Sequence, residues 1–184
     1  MNSFGSLIKK VYRFFNGESR ADHHRKRGLT VGENFHMLED VQIDYSHLWH
    51  VFIGDDVTLA PGVRILAHDA STKRHLGYTR IGKVRIGNKV FIGAGSIILP
   101  GVTIGDNVIV GAGSVVSRSL EANTVFAGNP AEKISSLDDF LARRKKEMES
   151  SPVFSEEYTM EKGVTAEMKK EMNQRMVADI GYII

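Results

Sequence analysis

The chain has 184 residues, of which 42% are hydrophobic, contains no cysteine, and carries a formal net charge of +2. This length and composition are typical of one globular domain with or without an appendage. The lack of cysteine excludes disulfides, thiolate nucleophiles and cysteine-ligated zinc, and the small net charge gives no reason to expect nucleic acid as a partner. No run approaches eighteen consecutive apolar residues, so no segment is expected to span a membrane.

Residues 1–28 are predicted to form a basic amphipathic helix at positions 3–16 followed by a linker. Apolar side chains recur there at helical spacing, with Lys9, Lys10 and Arg13 between them. Two hypotheses stay open: the helix packs on the end or side of the remaining fold, or it lies on an anionic membrane surface. The start lacks a signal-peptide pattern, so we expect a cytoplasmic protein, and the second hypothesis would add peripheral contact with the inner membrane surface.

Aliphatic residues recur every six positions over the middle of the chain: Ile86, Ile92, Ile98, Ile104, Val110 and Val116. A period of six fits neither an amphipathic helix nor a half-buried strand. It is typical of an all-β solenoid, in which each short strand buries its apolar side by stacking on the next coil. Three hexads per coil would place Ile104 above Ile86, and would likewise stack the pairs Ile92 with Val110 and Ile98 with Val116. The alternative is a sandwich of ordinary strands, which does not require the period.

A weaker hexad series precedes this one. It begins near Val31, is expected to continue through Met37, Ile43 and Trp49, and resumes after a shift of phase at Ile53, Leu59 and Ile65. The irregular patch IDYSHLWH at the shift is interpreted either as a corner bulge or as a surface that faces substrate. His47 and His50 within it could ligate a metal, but the sequence shows no third ligand that converges on them.

A second interruption lies between Ile65 and Ile86, which are twenty-one residues apart. Because this spacing is not a multiple of six, about a dozen or more residues must leave the coil, and we predict an excursion at 67–84. His68 stands at its root, three residues after Ile65. Functional residues are often found on loops anchored to a rigid frame, although a structural histidine is the alternative.

The segments VFIGDDVTLAPGVRILAHDA and RIGNKVFIGAGSIILPGVTIGDNVIVGAGSVVSRSLEANTVFAGNPAEKI resemble the hexapeptide-repeat acyltransferases. They are most similar to the sugar O-acetyltransferases, which include maltose and galactoside acetyltransferases and capsule or lipopolysaccharide acetyltransferases. The resemblance covers roughly residues 30–135. It implies a left-handed parallel β-helix at residues 29–134, usually a homotrimer, which uses acetyl-CoA at an active site between neighbouring subunits.

His68 matches the catalytic histidine of that family, although Asp69 follows it where the galactoside enzymes have proline. An imidazole, with a reference pKa of about 6.5, is suited to take the proton of a sugar hydroxyl as the oxygen attacks a thioester. This direct transfer needs no covalent acyl-enzyme. We assign acceptor binding to Asp44, Tyr45 and Asp69.

The resemblance places the thioester of acetyl-CoA near Phe91 and the turn formed by Gly93, Ala94 and Gly95. A backbone N–H of this turn is expected to stabilise the developing oxyanion. The pantetheine arm and the nucleotide phosphates would extend from there past Gly111, Ala112, Gly113, Ala127 and Gly128 towards Arg118 and Lys133. Ordinary surface cations are the alternative for the last two residues. There is no Walker-type loop or dinucleotide fingerprint, and we expect no metal.

Residues 135–184 are predicted to form a helical extension. Ser135 or Ser136 is expected to cap a helix that runs to about Met148. Thr165 is expected to open a second helix, whose methionines form a packing face rather than a ligand site: Met168, Met172 and Met176. These helices could cap the open end of the solenoid, contact a neighbouring subunit, or border the acceptor site.

The predicted function is acetyl-CoA-dependent O-acetylation of a sugar hydroxyl, in surface polysaccharide or lipopolysaccharide biosynthesis. One alternative is a different acceptor, such as an antibiotic hydroxyl, serine or an amino sugar, and another is a non-catalytic scaffold. The γ-type carbonic anhydrases share the scaffold but need an H-x4-H pair, which the seven histidines do not contain.

Overall fold

The structure, a computed structural model, describes residues 18–184, and their side chains from residue 21 onward. The helix predicted at 3–16 lies outside the described residues. The chain divides into two compact units, and the boundary falls between Leu137 and Asp138. In the described part of the chain, no helix is both long enough and apolar enough to cross a bilayer.

In the described part of the first unit, the regular elements are mainly short strands. In chain order they are β1 Thr30–Val31, β2 His36–Met37, β3 Gln42–Ile43, β4 Val51–Ile53, β5 Thr58–Leu59, β6 Arg64–Ile65, β7 His68–Asp69, β8 Arg80–Ile81, β9 Val84–Ile86, β10 Phe91–Ile92, β11 Ile97–Ile98, β12 Thr103–Ile104, β13 Ile109–Val110, β14 Val115–Val116, β15 Thr124–Ala127 and β16 Glu132–Ser136. This unit also contains the helices α1 Glu18–Arg25 and α2 Lys73–Leu76 and a 3-10 turn at Leu48–His50.

The strands form three mainly parallel sheets, in the orders β1-β4-β9-β12, β16-β15-β13-β10-β5-β2 and β14-β11-β6-β3. Outside the excursion, strands that follow one another up to β14 enter the three sheets in rotation, so each sheet receives one strand per coil. The stacked pairs predicted from the hexads are confirmed, because they lie in register: Ile86 with Ile104, Ile92 with Val110, and Ile98 with Val116.

The hexad aliphatics form the core of this unit. All six of them are buried, and so are the small or β-branched residues four positions after each of the first five. Burial of each aliphatic contributes roughly 1.5–3 kcal/mol to folding. The close stacking of coils explains one glycine directly: a Cβ at Gly93 would lie 2.4 Å from the backbone nitrogen of Ala112.

The loop after β3 contains four residues beyond the regular repeat. Ile43 pairs with Ile65, twenty-two residues later rather than eighteen. Within this loop Leu48 is fully buried, whereas Trp49 is 54% exposed. The hexad position predicted at Trp49 is therefore wrong, because the 3-10 turn at Leu48–His50 directs Leu48 into the core instead.

The excursion after β6 is larger. Ile65 pairs with Ile98, thirty-three residues later, so fifteen residues are added to this coil. The base of the excursion is closed by the antiparallel pair β7 and β8 and by the Gly82 N–H, which donates to the Ala67 carbonyl at 2.9 Å. His68 thus belongs to an ordered ladder at the point where the chain leaves the coil.

The last coil ends in a hairpin. Val110 pairs with Phe126, sixteen residues later, and β15 then pairs antiparallel with β16. β16 is therefore the edge strand on this side of its sheet, and it covers the edge that β15 would otherwise expose. Ser135 and Ser136, predicted as helix caps, lie in this strand.

The second unit is helical with one small sheet. Its elements are α3 Leu137–Glu149, which begins at the last residue of the first unit, β17 Val153–Phe154, a 3-10 turn at Glu156–Tyr158, α4 Ala166–Arg175 and β18 Tyr182–Ile183. Thr165 precedes α4, and its hydroxyl accepts a hydrogen bond from the Met168 N–H at 3.2 Å. The three methionines of the predicted packing face are half-buried.

Candidate functional site

His68 combines a tightly held ring nitrogen with an exposed ring. Its Nδ1 lies 2.5 Å from Oδ2 of Asp44. The His68 side chain is 38% exposed and the Asp44 side chain only 1%. No residue in the described part of the chain hydrogen-bonds to Nε2. A carboxylate that accepts from Nδ1–H leaves the lone pair on Nε2, which is the form a general base requires.

Both carboxylate oxygens of Asp44 are engaged. Oδ2 also accepts from the Ala67 N–H at 2.8 Å, and Oδ1 accepts from the Ser46 N–H at 3.2 Å and the Ser46 hydroxyl at 2.8 Å. Burial by itself would raise the pKa of Asp44, but the hydrogen bonds from His68, Ser46 and Ala67 outweigh it and lower the pKa to about 2. Acceptor binding by Asp44 stays a prediction. Because the Asp44 side chain is only 1% exposed and both of its oxygens already accept hydrogen bonds, its contacts favour a role in holding His68.

We expect the ionised Asp44 to stabilise the fold in a pH-dependent way. Because its folded pKa is about 2 and an unfolded aspartate titrates near 3.9, the stabilisation is complete above pH ~4 and is lost as the pH falls towards 2. Its size is about 2 kcal/mol. Urea unfolding of the wild type and of Asp44→Asn, at one protein concentration between pH 6 and pH 2, measures the difference.

The exposed Asp40, which has a positive φ of 54° that asparagine tolerates well, provides the matched control. Asp40→Asn should change the free energy of unfolding at pH 6 by much less than Asp44→Asn does. If the Asp44→Asn difference is equally large at pH 6 and pH 2, the electrostatic role of Asp44 is contradicted.

Further rings border His68. The ring centroid of His47 lies 5.0 Å from that of His68, and those of Trp49 and His50 lie 5.5 Å and 6.0 Å from that of His47. We call His47, Trp49 and His50 the ring group. The Ser46 hydroxyl, which donates to Asp44, lies 2.9 Å from Nδ1 of His47. One carboxylate therefore orients His68 directly and His47 through Ser46.

Asp44, His47 and His68 also place three possible metal-ligating atoms within 4.8 Å of one another. Asp44 is the third ligand that the sequence did not reveal for a site at His47, whereas His50 is not part of this set. The Ser46 hydroxyl already occupies the space among them, at 2.8 Å from Asp44, 2.9 Å from His47 and 3.5 Å from His68. A zinc ion with ligand distances of about 2.0–2.2 Å would have to displace it. We interpret the set as a hydrogen-bonded network.

The other two predicted acceptor residues lie near His68 and are accessible. Tyr45 lines, together with His68 and His24, an open cavity of about 500 Å³. The Arg27 guanidinium covers the Tyr45 ring at 3.6 Å and hydrogen-bonds to its hydroxyl. Asp69 follows His68 in β7, and the hydrogen bonds that it accepts from Ser71 lower the pKa of its exposed carboxyl group.

The predicted thioester turn is one of three stacked turns. The Gly95 N–H donates to the Pro61 carbonyl at 2.9 Å, and the Gly113 N–H donates to the Ala94 carbonyl at 2.8 Å. The Gly93 N–H is also used, by the Val110 carbonyl at 2.8 Å. Among the described residues, the Ala94 N–H has no acceptor, and Ala94 is exposed. Of the three residues proposed to donate to the oxyanion, only Ala94 keeps a free N–H.

Most of the remaining predicted cofactor residues lie in or directly after β10, β13 and β15, which are neighbouring strands of one sheet. Phe91 is exposed in β10, while the Gly111 and Gly128 N–H groups are engaged by the Phe126 carbonyl and the Ser114 hydroxyl. Ala112 and Gly113 form the third stacked turn, and Ala127 ends β15. The two predicted phosphate ligands each have an exposed carboxylate partner: Arg118 pairs with Glu132 and Lys133 with Glu121. A phosphate would have to compete with these ion pairs.

Within one chain, His68 and Ala94 lie at opposite ends of one face. β6 and β11 are parallel neighbours in register, with Ile65 beside Ile98. His68 follows the end of β6, and Ala94 precedes the start of β11 in the turn that stacks on Pro61. The chain between these two levels spans on the order of 20 Å. Within one chain, one thioester therefore cannot contact both His68 and the Ala94 N–H.

Comparison with known proteins gives the family. Residues 83–118 match the family described as bacterial transferase hexapeptide (six repeats). The chain is 44% identical to protein CapG of Staphylococcus aureus over 124 residues, which are 65% of this chain and 72% of CapG. The chain belongs to the hexapeptide-repeat acetyltransferases.

Solved structures of this acetyltransferase family agree. A galactoside acetyltransferase in complex with coenzyme A is 31% identical with a TM-score of 0.53, and the match covers 73% of this chain and 81% of that one. A hexapeptide-repeat acetyltransferase from Vibrio cholerae, complexed with acetyl coenzyme A, is 27% identical with a TM-score of 0.54, over 60% of this chain and 61% of that one. The predicted enzyme class and acyl donor are confirmed, since acetyl-CoA is the donor for these acetyltransferases.

Proposed function

We propose that this acetyltransferase transfers the acetyl group of acetyl-CoA to a sugar hydroxyl, with His68 as general base and Asp44 as the residue that positions it. The proposal depends chiefly on the geometry of the His68 ring. Its Nδ1 is held by an ionised, buried carboxylate, and the ring is open to solvent beside a cavity of about 500 Å³. A polar nucleophile can approach Nε2 there without displacing any described side chain from it.

The reaction needs one proton transfer in each direction. Nε2 of His68 takes the hydroxyl proton as the acceptor oxygen bonds to the thioester carbon. When the tetrahedral intermediate collapses, the carbon–sulfur bond breaks and the imidazolium returns the proton to the CoA sulfur. Asp44 keeps the imidazole in the Nδ1–H tautomer and stabilises the imidazolium. A base of this kind typically contributes 10²- to 10⁴-fold to the rate.

Charge also develops on the carbonyl oxygen of the thioester. The Ala94 N–H is the one donor of the predicted turn that the coil does not use, so we propose it as the oxyanion ligand. Loss of a comparable donor costs about 10²- to 10³-fold in kcat. The pantetheine arm is proposed to follow the stacked turns of Ala94 and Ala112, with the phosphates near Arg118 and Lys133.

This mechanism requires that copies of the chain associate. We propose that residues 29–134, with the excursion 67–84, form a left-handed parallel β-helix that associates as a homotrimer. Each active site would take His68 from one copy and the Ala94 turn from the next. The distance between these residues within one chain supports a site shared between copies, and a heterologous contact forms a closed ring when its rotation closes.

The acceptor is proposed to be a sugar of a surface polysaccharide or lipopolysaccharide, with Tyr45 and Asp69 as contacts. Purified enzyme, acetyl-CoA and a panel of methyl glycosides of galactose, glucose and N-acetylglucosamine test this, with serine and chloramphenicol as alternative acceptors. We expect a mass gain of one acetyl group on a sugar, in an ester that mild base cleaves. Transfer only to serine or chloramphenicol, or to nothing, would contradict the sugar assignment.

A further inference from the structure

The position of the ring group beside His68 is not explained by the packing of the core. It lies on the loop that the four additional residues after Ile43 create. The core contact of this loop is made by Leu48, whereas Trp49 leaves 54% of its surface in solvent. An exposed indole at this position stabilises little and is typical of a surface that binds a ligand.

His47 resembles His68 in the way that its two ring nitrogens are used. The Ser46 hydroxyl donates its single hydrogen to Asp44, so the 2.9 Å contact with His47 must use Nδ1–H of the ring as donor. The lone pair of His47 therefore lies on Nε2, to which no described residue hydrogen-bonds. The side chain is 25% exposed. A hydroxyl of a ligand can donate to it.

Two such imidazoles, with ring centroids 5.0 Å apart, match the spacing needed to receive two neighbouring hydroxyl groups. One hydroxyl would donate to His68 and the other to His47. The Trp49 ring, 5.5 Å from His47, adds an apolar surface next to them. A pyranose ring offers both features, since it carries adjacent hydroxyls and has an apolar face of C–H groups.

We propose that His47 and Trp49 form a subsite for the acceptor pyranose, in which Nε2 of His47 accepts a hydrogen bond from the hydroxyl adjacent to the one that is acetylated, while Trp49 packs against the C–H face of the ring. This inference rests on the proposed sugar acetyltransferase function. It assigns to His47 the choice of which hydroxyl faces His68, and it assigns no proton transfer to His47.

Two substitutions of His47 distinguish the roles of its two ring nitrogens. Asparagine keeps a polar atom near the Nδ1 position that contacts Ser46, and glutamine keeps one near the Nε2 position. With the best sugar of the panel, His47→Asn should lower kcat/KM by about 10- to 100-fold, mainly through KM, because one ligand hydrogen bond is lost. His47→Gln should recover much of it, and the KM for acetyl-CoA should not change in either variant.

A deoxy analogue of the sugar, which lacks the adjacent hydroxyl, allows a double-mutant cycle between that hydroxyl and His47. The wild type should lose activity on it by about the same factor, and His47→Asn should lose nothing further, since both changes remove one interaction. If His47→Asn lowers kcat/KM equally for the parent sugar and the deoxy analogue, His47 does not bind that hydroxyl and the subsite is rejected.

Trp49 gives a readout that does not depend on turnover, because it is the only tryptophan of the chain. Titration of the CoA-saturated enzyme with the same methyl glycoside should change the tryptophan emission saturably. Trp49→Ala should lower kcat/KM for the sugar by about 10-fold. The subsite alone would be overturned by the following combination of results. The wild type acetylates the sugar, its emission does not change, and kcat/KM of Trp49→Ala and of His47→Asn stays within twofold of the wild-type value. Emission changes without acetylation of any sugar would overturn the proposed function alone, and absence of both would overturn both.

Discussion

Replacement of His68 by alanine is expected to lower the rate of acetyl transfer by about 10²- to 10⁴-fold, while the fold and the affinity for CoA stay close to those of the wild type. The ring is 38% exposed, so its removal leaves no core cavity. Asp44 keeps its hydrogen bonds from Ala67 and Ser46 in the variant, so its carboxylate remains partly satisfied. Release of the CoA thiol measures the rate, and calorimetric titration with CoA measures the affinity.

His75 offers the matched control, since it is an exposed histidine on the helix α2 of the same excursion. His75→Ala should retain wild-type turnover. If turnover of His68→Ala stays within about threefold of the wild type, His68 is not the base, whatever the stability of the variant.

Ala94→Pro is expected to lower kcat by about 10²- to 10³-fold, because proline has no N–H to offer the oxyanion. The turn itself should accept the change. Pro61 occupies the equivalent position one coil below, where its carbonyl receives the Gly95 N–H. The substitution therefore removes a donor without requiring a new backbone conformation. Saturation kinetics with acetyl-CoA separate the loss in kcat from any change in KM.

Ala112→Pro makes the same backbone change one coil above and serves as its control. Because Ala112 is proposed to lie along the pantetheine arm, this variant should raise the KM for acetyl-CoA and largely preserve kcat. The midpoint temperature of thermal unfolding should shift by a similarly small amount in both variants. Equal effects of the two substitutions on kcat would contradict a specific role for Ala94.

The stacking of the coils could be predicted from the sequence because it depends on one local rule. Every sixth residue must be an aliphatic that turns inward, and the pairs Ile86 with Ile104 and Ile98 with Val116 follow at once. The rule fails where residues are inserted. It placed Trp49 in the core, whereas the inserted 3-10 turn gives that position to Leu48.

Predicting which residue contacts His68 would have required the length of an insertion. Ile43 pairs with Ile65 at an offset of twenty-two residues, so Asp44, directly after β3, comes to lie beside Ala67 and His68. An offset of eighteen would have separated them. The free N–H of Ala94 had a clearer signal in the sequence. Pro61 at the equivalent turn position shows that the coil does not need an N–H there.

The most direct test of the whole account combines two inactive variants. Chains carrying His68→Ala and chains carrying Ala94→Pro are mixed in equal amounts, unfolded and reassembled together. In a homotrimer with sites between copies, about one quarter of the sites then receive both an intact His68 and an intact Ala94, so the mixture should recover about a quarter of wild-type activity. A mixture that stays as inactive as the two variants alone would contradict an active site shared between neighbouring copies.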